Sequence, residues 1–556
     1  MRHALGSLLL LSGTVAVAAL AGCGNGASGG TNDVAPQDPT REPVIEEPDL
    51  YRVDGRTLYV QNPDTGLNLI DVGDAAKPRL LGAAPLTGGS GAELYVQPGE
   101  IVVVMLKTAT PSCTPIVQGG GVWKVDAEVA LVDAKDKSRP KVLGRHCLPG
   151  TLVASRTIDR ILYAVVTDPN ATFNKTGSRA YAIDLADPTR PRVIAEAEFS
   201  GASKEIQVTA NSILVAARTQ RGGSTRVQYL SIDGRGAIVS RGAVEIPGEP
   251  QGRFHMDLRG TQFRIVTFEG ASSRLSVIDF TNPDSPRLIG GLGGLGRNER
   301  LYATRFDGDK AYIVTFRRTD PLWVVSLADP ARPELVGELQ VPGWSDFLFP
   351  RGDRLLAVGR GNNGFRVGVS LFDVSNPSHP RVVEQREFGD QGAQSEANTD
   401  HRGVTILESV GGNPLLIVPY GTVRWSKDDA ARTVCTVTDV LQLIEVQPSR
   451  LLVRGAATQK GSVRRSFPVG TSLYGLSDYE VQAIDISNRD QPRSLATLAL
   501  GTAEGLRRDV KETCEASRRA IGHVGCTVAA RDPAAGLPAV ALIGLALFAS
   551  RRRRGA

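Results

Sequence analysis

Six histidines are spread over the 556 residues, and His401 has the company that chemistry requires. In EANTDHR it follows Asp400 directly, with Glu396 shortly before it and Arg402 beside it. A carboxylate can fix the tautomer and orientation of an imidazole, and the pair can then orient a water or hold a metal. The spacing matches neither a zinc motif nor a calcium loop, so an Asp–His pair that ties down a long loop is the structural reading beside the chemical one. A second group, Arg305, Arg317, Arg318 and Asp320 in RFDGDKAYIVTFRRTDPLW, surrounds a strand end. Guanidinium groups there suit a funnel for an anionic or peptide group, and they equally suit ion pairs between neighbouring sheets.

Other chemistry finds no support. No GxSxG elbow is matched to a histidine, no phosphate-binding Walker loop occurs, and the Asp-rich turns lack the DxDxDG ladder of a calcium site. The glycine-rich run GGLGGLG (290–296) lies between two strand-like stretches, where a dinucleotide fingerprint would need a helix. Trp123, Trp323, Trp344 and Trp425 follow no regular spacing and read as packing residues. No metal and no cofactor is implied.

What must position these residues is a repeated phrase. It appears as LIDVGDAAKP (69–78), LVDAKDKSRP (131–140), AIDLADPTRP (182–191), VIDFTNPDSP (277–286), VVSLADPARP (324–333), LFDVSNPSHP (371–380) and AIDISNRDQP (483–492). Each copy starts as an apolar strand and turns at an Asp or Asn whose side chain can cap the backbone two residues on. It then opens a new strand after Pro, whose missing N–H is tolerated at a strand start or a sheet edge. The phrase is therefore the outer hairpin of a small antiparallel sheet. Eroded copies at LSIDG (230–234) and LIEVQPSRLLVRG (443–455) bring the count to nine units. Four strands in roughly 40 to 50 residues, repeated, is the signature of a β-propeller blade. The expected fold is all-β, a propeller at 48–502 of about eight four-stranded blades, with seven and nine as the neighbouring counts. One blade would be split between the two ends of the chain. Leu506, Val510 and Cys514 at helical spacing predict a short helix at 503–520, within a helix and spacer at 503–533.

The formal charge of +5 is local. Removing Arg2 and the four arginines at 551–554 leaves a body of zero net charge, which takes away the electrostatic case for nucleic acid. The two ends read as targeting segments. Residues 1–22 have a basic start and an apolar stretch, and Leu20-Ala21-Gly22-Cys23 resembles a bacterial lipobox, which implies lipidation at Cys23 and attachment to a membrane. A Gly-, Ser- and Pro-rich tether fills 23–47. Cys526, an apolar segment at 534–550 and an Arg-rich tail at 551–556 resemble the MYXO-CTERM sorting tails of myxobacterial surface proteins. That resemblance implies processing at Cys526 and an extracytoplasmic body at the envelope of a Gram-negative cell, with the arginines inside. A plain membrane anchor is the alternative reading of the apolar segment. Four cysteines remain in an oxidising compartment, where disulfides are favoured. Three pairings are open, and locality selects Cys113 with Cys147 and Cys435 with Cys514.

The segments beginning ERLYATRFDGDKAYIVTF, SLFDVSNPSHP and VRRSFPVGTSLYGLS are similar to the family of secreted bacterial and archaeal β-propeller domains distantly related to WD40 repeats. The resemblance covers about 50–501 and implies fold and export, with no catalytic residues to carry over. The expected function is a non-enzymatic binding or scaffold module for a protein, peptide or glycan. The alternative is an extracytoplasmic hydrolase or lyase at the channel mouth near Asp400 and His401.

Overall fold

The structure is a computed structural model that describes residues 48–528, apart from 89, 109–112, 114–115, 119–120, 124–126, 168–175, 220–222, 318–319, 362–363, 365, 391, 409–411 and 428–432. The expected leader, the tether with Cys23, the apolar segment and the Arg-rich tail lie outside the described residues. Among the described residues no helix is long and apolar enough to cross a membrane.

Nine four-stranded antiparallel sheets follow one another at 51–84, 90–148, 151–200, 202–247, 256–295, 300–341, 344–388, 405–459 and 463–499. We number them blades 1 to 9. The count is the upper one the repeat allows, and no blade is split, because every sheet takes its four strands from one continuous stretch. Both eroded copies of the phrase build complete blades. A short hairpin, Ile116–Gln118 with Gly121–Trp123, interrupts blade 2.

Nine apolar clusters lie one at each junction between neighbouring blades, including the seam where blade 9 meets blade 1. At that seam Leu58, Val60, Ile70 and Val72 pack on Phe467, Tyr474, Leu476 and Val481. Fully burying one such side chain stabilises by about 1.5–3 kcal/mol, so side-chain packing can close the ring where strand exchange was expected to. Two hydrogen bonds cross the same seam, Tyr474 Oη to the Val72 carbonyl at 3.0 Å and Asn62 Nδ2 to the Asp478 carbonyl at 2.8 Å.

The repeated phrase connects the third and fourth strands of its blade. Its first acid accepts the backbone N–H two residues on, as Asp71 does from Gly73 at 3.0 Å and Asp184 from Ala186 at 2.9 Å. Its second does the same, as Asp74 does from Ala76 at 2.9 Å and Asn376 from Ser378 at 3.1 Å. The turn also has a neighbour. A glycine on the preceding blade's outer strand lies against it so closely that a Cβ on Gly144 would come within 2.6 Å of Pro191 Cδ and 2.7 Å of the Pro188 carbonyl. Gly82, Gly242, Gly290, Gly337 and Gly455 meet the following blade's turn in the same way. Blade spacing on the rim is thus set by contact between one repeat's glycine and the next repeat's prolines.

The axis departs from the repeat. Six first strands, which line the channel, have seven or eight residues, but Tyr51–Asp54, Met256–Arg259 and Thr405–Leu407 have four, four and three. Ahead of each short strand the chain leaves its own sheet. Asp49 bridges to Leu94 on blade 2, Phe254 packs on Phe347 of blade 7, and Arg402 donates to the Pro48 carbonyl at 2.6 Å. Three segments ahead of blades 1, 5 and 8 therefore meet across the channel and plug it.

After blade 9 comes helix α1, Ala503–Val528. It runs eight residues past the predicted end, because Gly522 and Gly525 each cost only about 1 kcal/mol in a helix interior, too little to stop it. Cys514 on α1 is disulfide-bonded to Cys435 of blade 8, and Cys113 is bonded to Cys147 of blade 2.

Candidate functional site

The segment EANTDHR forms two successive 3-10 turns within the plug, Glu396–Asn398 and His401–Gly403. Short polar side chains begin both. Ser395 Oγ accepts from the Ala397 N–H at 3.0 Å, and Asp400 Oδ1 accepts from the Arg402 N–H at 3.1 Å. The turns fold back on each other so tightly that a Cβ on Gly403 would lie 2.9 Å from the Ala397 nitrogen.

The carboxylates of this segment are held chiefly by arginines. Asp400 accepts from Arg402 Nε at 2.9 Å and Nη2 at 2.8 Å, and from Arg465 Nη2 at 2.5 Å; His401 Nδ1 stands 3.5 Å away. Arg465, on the first strand of blade 9, also holds Asp49 through Nε at 2.7 Å and Nη2 at 2.8 Å, and Glu396 through Nη1 at 3.3 Å. Its side chain is 2% exposed. Arg464 adds pairs to Glu396 and Asp478, both at 3.3 Å. Burial alone would push the Asp400 carboxyl up, but the hydrogen bond from Arg402 and the charges of Arg465 and Arg402 outweigh it and hold the carboxyl well below the usual range. Burial likewise opposes the charge on Arg465, and the carboxylates of Asp49, Asp400 and Glu396 more than offset that, raising its pKa. Arg402, Arg464 and Arg465 and the carboxylates of Asp49, Glu396 and Asp400 thus clasp the start of blade 1 and the loop before blade 8 to blade 9.

His401 turns toward a different set of groups. Its ring meets the edge of Phe254 with centroids 4.6 Å apart and lies 6.0 Å from Phe347. The Arg253 and Arg305 guanidinium carbons stand 5.0 and 5.1 Å from the Phe254 centroid, within cation–π range. Next to them His255 is fully buried, its Nδ1 2.7 Å from Thr304 Oγ1, and burial pushes its pKa down to about 3, so it is neutral. Arg253, Phe254, Arg305, Phe347 and His401 line one cavity of about 250 Å³ on the axis, together with Thr304, Leu348 and Phe349.

Of the sequence-predicted residues, the fold brings Arg305 and His401 into this cavity and Glu396 and Asp400 into the adjoining clasp. Arg317 does not join them. It is exposed just past Phe316, which pairs with Arg300, whereas Arg305 pairs with Tyr312. Five residues of strand at about 3.3 Å each place it roughly 16 Å from Arg305. The Asp320 backbone pairs with Val341 at the same far end, and Arg318 lies outside the described residues. The sequence reading passed over Asp49, Arg253, Phe254, Phe347, Arg464 and Arg465. The adjacent arginines of VRRSFP, in a stretch patterned as a strand, were the available signal for the clasp.

A second cavity, of about 260 Å³, lies where blade 9, blade 1 and α1 meet. Two ion pairs lie in its wall, Arg508 with Asp64 at 2.9 Å and Arg464 with Asp478 at 3.3 Å. Among the described residues no group of His, Cys, Asp and Glu could hold a metal.

A closed ring of four-stranded blades defines a β-propeller. The family model for the beta propeller domain matches residues 40–180 and 181–489, and the chain belongs to that family. An uncharacterised protein of Archaeoglobus fulgidus is 35% identical over 249 residues, which are 45% of this chain and 35% of that one. An uncharacterised protein of Methanocaldococcus jannaschii is 35% identical over 149 residues, 25% of this chain and 23% of its own. The matches thus span about a third and a quarter of these relatives. Among solved structures, hydrazine synthase of Kuenenia stuttgartiensis aligns at 14% identity and a TM-score of 0.30, over 51% of this chain and 76% of that one. A putative 6-phosphogluconolactonase of Bacteroides fragilis aligns at 13% identity and 0.31, over 64% and 98%. Likenesses this distant carry no functional argument.

Proposed function

We propose that the protein is a non-enzymatic binding module of the cell envelope, a propeller held outside the cytoplasm that takes a protein, peptide or glycan. The observation that supports this most is the fate of the carboxylates nearest His401. Asp400 and Glu396 are engaged by Arg402, Arg464 and Arg465 as part of ring closure. A carboxylate held ionised by two guanidinium groups is a poor general base, because its affinity for a proton has been lowered. The lipobox-like Leu20-Ala21-Gly22-Cys23 supports membrane attachment through Cys23, and the Cys526 tail supports a second contact with the envelope.

The test of the binding role is capture from native envelope extracts with the purified full chain, followed by mass spectrometry. A specifically retained protein or glycan is expected; turnover of an envelope ester or glycosidic substrate that is lost in His401→Ala would replace this reading with the enzymatic one. Labelling with a fatty-acid analogue tests attachment. Cys23→Ala should lose the label, and loss in Cys526→Ala alone would overturn the assignment of Cys23.

A further inference from the structure

We infer that the cavity beside α1, at the seam of the ring, binds a primary ammonium group carried on a short alkyl chain. The inference goes beyond the binding-module reading, which names neither this cavity nor a ligand charge.

Blade 9, blade 1 and α1 enclose the cavity, and α1 is fastened on several sides. Its Cys514 is bonded to Cys435 of blade 8, its Asp509 accepts from Ser462 just ahead of blade 9, and its Arg508 pairs with Asp64 of blade 1. The wall carries more negative than positive charge, with Asp64, Asp478, Asp509 and Glu512 set against Arg464 and Arg508. Both arginines are engaged. Arg508 pairs with Asp64 at 2.9 Å and feels the charges of Glu512 and Glu504, while Arg464 is shared between Asp478 and Glu396, both at 3.3 Å. Asp509 accepts from the Ser462 N–H at 3.1 Å and from its Oγ at 3.0 Å, and among the described residues no cation forms an ion pair with Asp509. The excess charge is felt nearby. Burial raises the Asp478 carboxyl above the usual range, and the charges of Asp509 and Glu396 add to this against the pull of Arg464.

A neutral group in the wall points the same way. Gln61 lines the cavity and is 7% exposed, and its buried Oε1 has no hydrogen-bond partner among the described residues. Its amide cannot be turned round, because Nε2 donates to the Leu86 carbonyl at 2.8 Å and a flip would set oxygen against oxygen. Asn62 has no donor to offer either, since its Nδ2 is given to the Asp478 carbonyl at 2.8 Å. The Tyr479 hydroxyl can accept as well as donate. The cavity therefore presents mainly acceptors, and a buried acceptor left unmade is costly. An ammonium carries three N–H donors and no acceptor, which is the complement of such a wall. A metal ion would need acids gathered round one point, and among the described residues no group of His, Cys, Asp and Glu could hold one.

Leu50, Pro63 and Leu506 supply the apolar wall for an alkyl chain. About 260 Å³ falls just below the roughly 300–1,000 Å³ of sites for drug-sized ligands, room for one side chain rather than an extended peptide. Such a group can arrive as a free aliphatic amine or as the lysine side chain of a protein, and the two share the chemistry read here.

Calorimetric titration of the purified full chain at low salt tests this with butylamine, 1-butanol, tetramethylammonium, calcium chloride and Nα-acetyllysine amide. Butylamine should bind. Butanol, similar in shape without the charge, and tetramethylammonium, charged without N–H donors, should each bind at least about tenfold more weakly. Asp509→Asn should weaken butylamine by about 10- to 100-fold and Gln61→Met by about 2- to 10-fold, while Glu515→Gln, on α1 outside the cavity, changes nothing. Tighter binding of Nα-acetyllysine amide than of butylamine would identify a lysine side chain as the source, and the reverse a free amine. Thermal melts show whether each variant is folded. Should Asp509→Asn or Gln61→Met prove unfolded, butylamine against butanol and tetramethylammonium on the unaltered chain still decides. Equal affinity for butylamine and either of those probes, unchanged affinity in the folded variants, tighter binding of calcium than of butylamine, or no heat with butylamine at millimolar concentration would overturn the inference. A partner captured from envelope extracts would still stand after any of those results, so the two readings fail separately.

Discussion

On the rim, Arg79 reaches back over its turn to Asp71 with its side chain 71% exposed; on the axis, Arg465 joins Asp49 and Asp400 with 2% of its side chain exposed. The residue types are the same and the solvent is not. At the rim water screens the charges, and the turn is held by backbone hydrogen bonds to the acids and by glycine packed against proline. On the axis Arg465 has given up its hydration, so only a network with several partners offsets the loss. Removing one partner from a buried network leaves an uncompensated charge, whereas removing one from an exposed pair leaves a solvated one.

The largest test of that contrast is Arg465→Met. Three carboxylates lose their shared cation, and denaturant unfolding should show a loss of about 3–5 kcal/mol. A loss as small as that of a rim arginine would break the comparison.

Next in size is a carboxylate that is buried without a cation. Asp439, on blade 8, is 8% exposed, and neither an ion pair nor a hydrogen bond reaches it among the described residues. Burial, then the charges of Asp509 and Asp478, push its pKa from 3.8 up to about 7. Between those values the folded chain holds a proton that the unfolded chain has lost. Its contribution to stability is therefore full below about pH 4 and declines as the pH rises to about 7. Asp439→Asn should remove that decline and raise stability at pH 8 by roughly 2–4 kcal/mol, read from thermal melts across the range. An unchanged pH profile would show that the site is better solvated than its burial indicates.

A third test probes the rim's packing. Gly337→Ala places a Cβ against the Pro377 carbonyl of the next blade, and the expected loss is about 1–3 kcal/mol. The smallest effect should be Arg79→Ala, at most about 1 kcal/mol and weaker still at high salt. If the two were equal, charge rather than close contact would be setting the blade spacing.

Much of the rim was legible in the sequence. Both eroded copies, LSIDG and LIEVQPSRLLVRG, read as units and build complete blades, because turn chemistry acts within a few residues and leaves its mark there. The nine units counted in the sequence match the nine blades, within the seven to nine allowed, and the central figure of eight came only from assigning closure to shared strands. Leu58 and Tyr474 are far apart in sequence, and nothing local says that they meet. The axial site was legible in half. EANTDHR stood out as irregular, yet its meaning depended on Arg465 and Asp49, 416 residues apart in the chain. Arg305 and Arg317 looked like one cluster in sequence, but strand geometry sends them to opposite ends of a blade.

By itself the sequence determined that the chain is a ring of repeated four-stranded sheets, because each turn's acids, prolines and glycine carry their instructions within one repeat or to the next. Only the tertiary structure decided that the ring has nine blades closed by side chains, that three shortened inner strands send their preceding segments into the channel, and that Asp400 belongs to a clasp while His401 faces a cavity. Those outcomes depend on which distant groups share one low-dielectric space, and distance along a chain does not encode that.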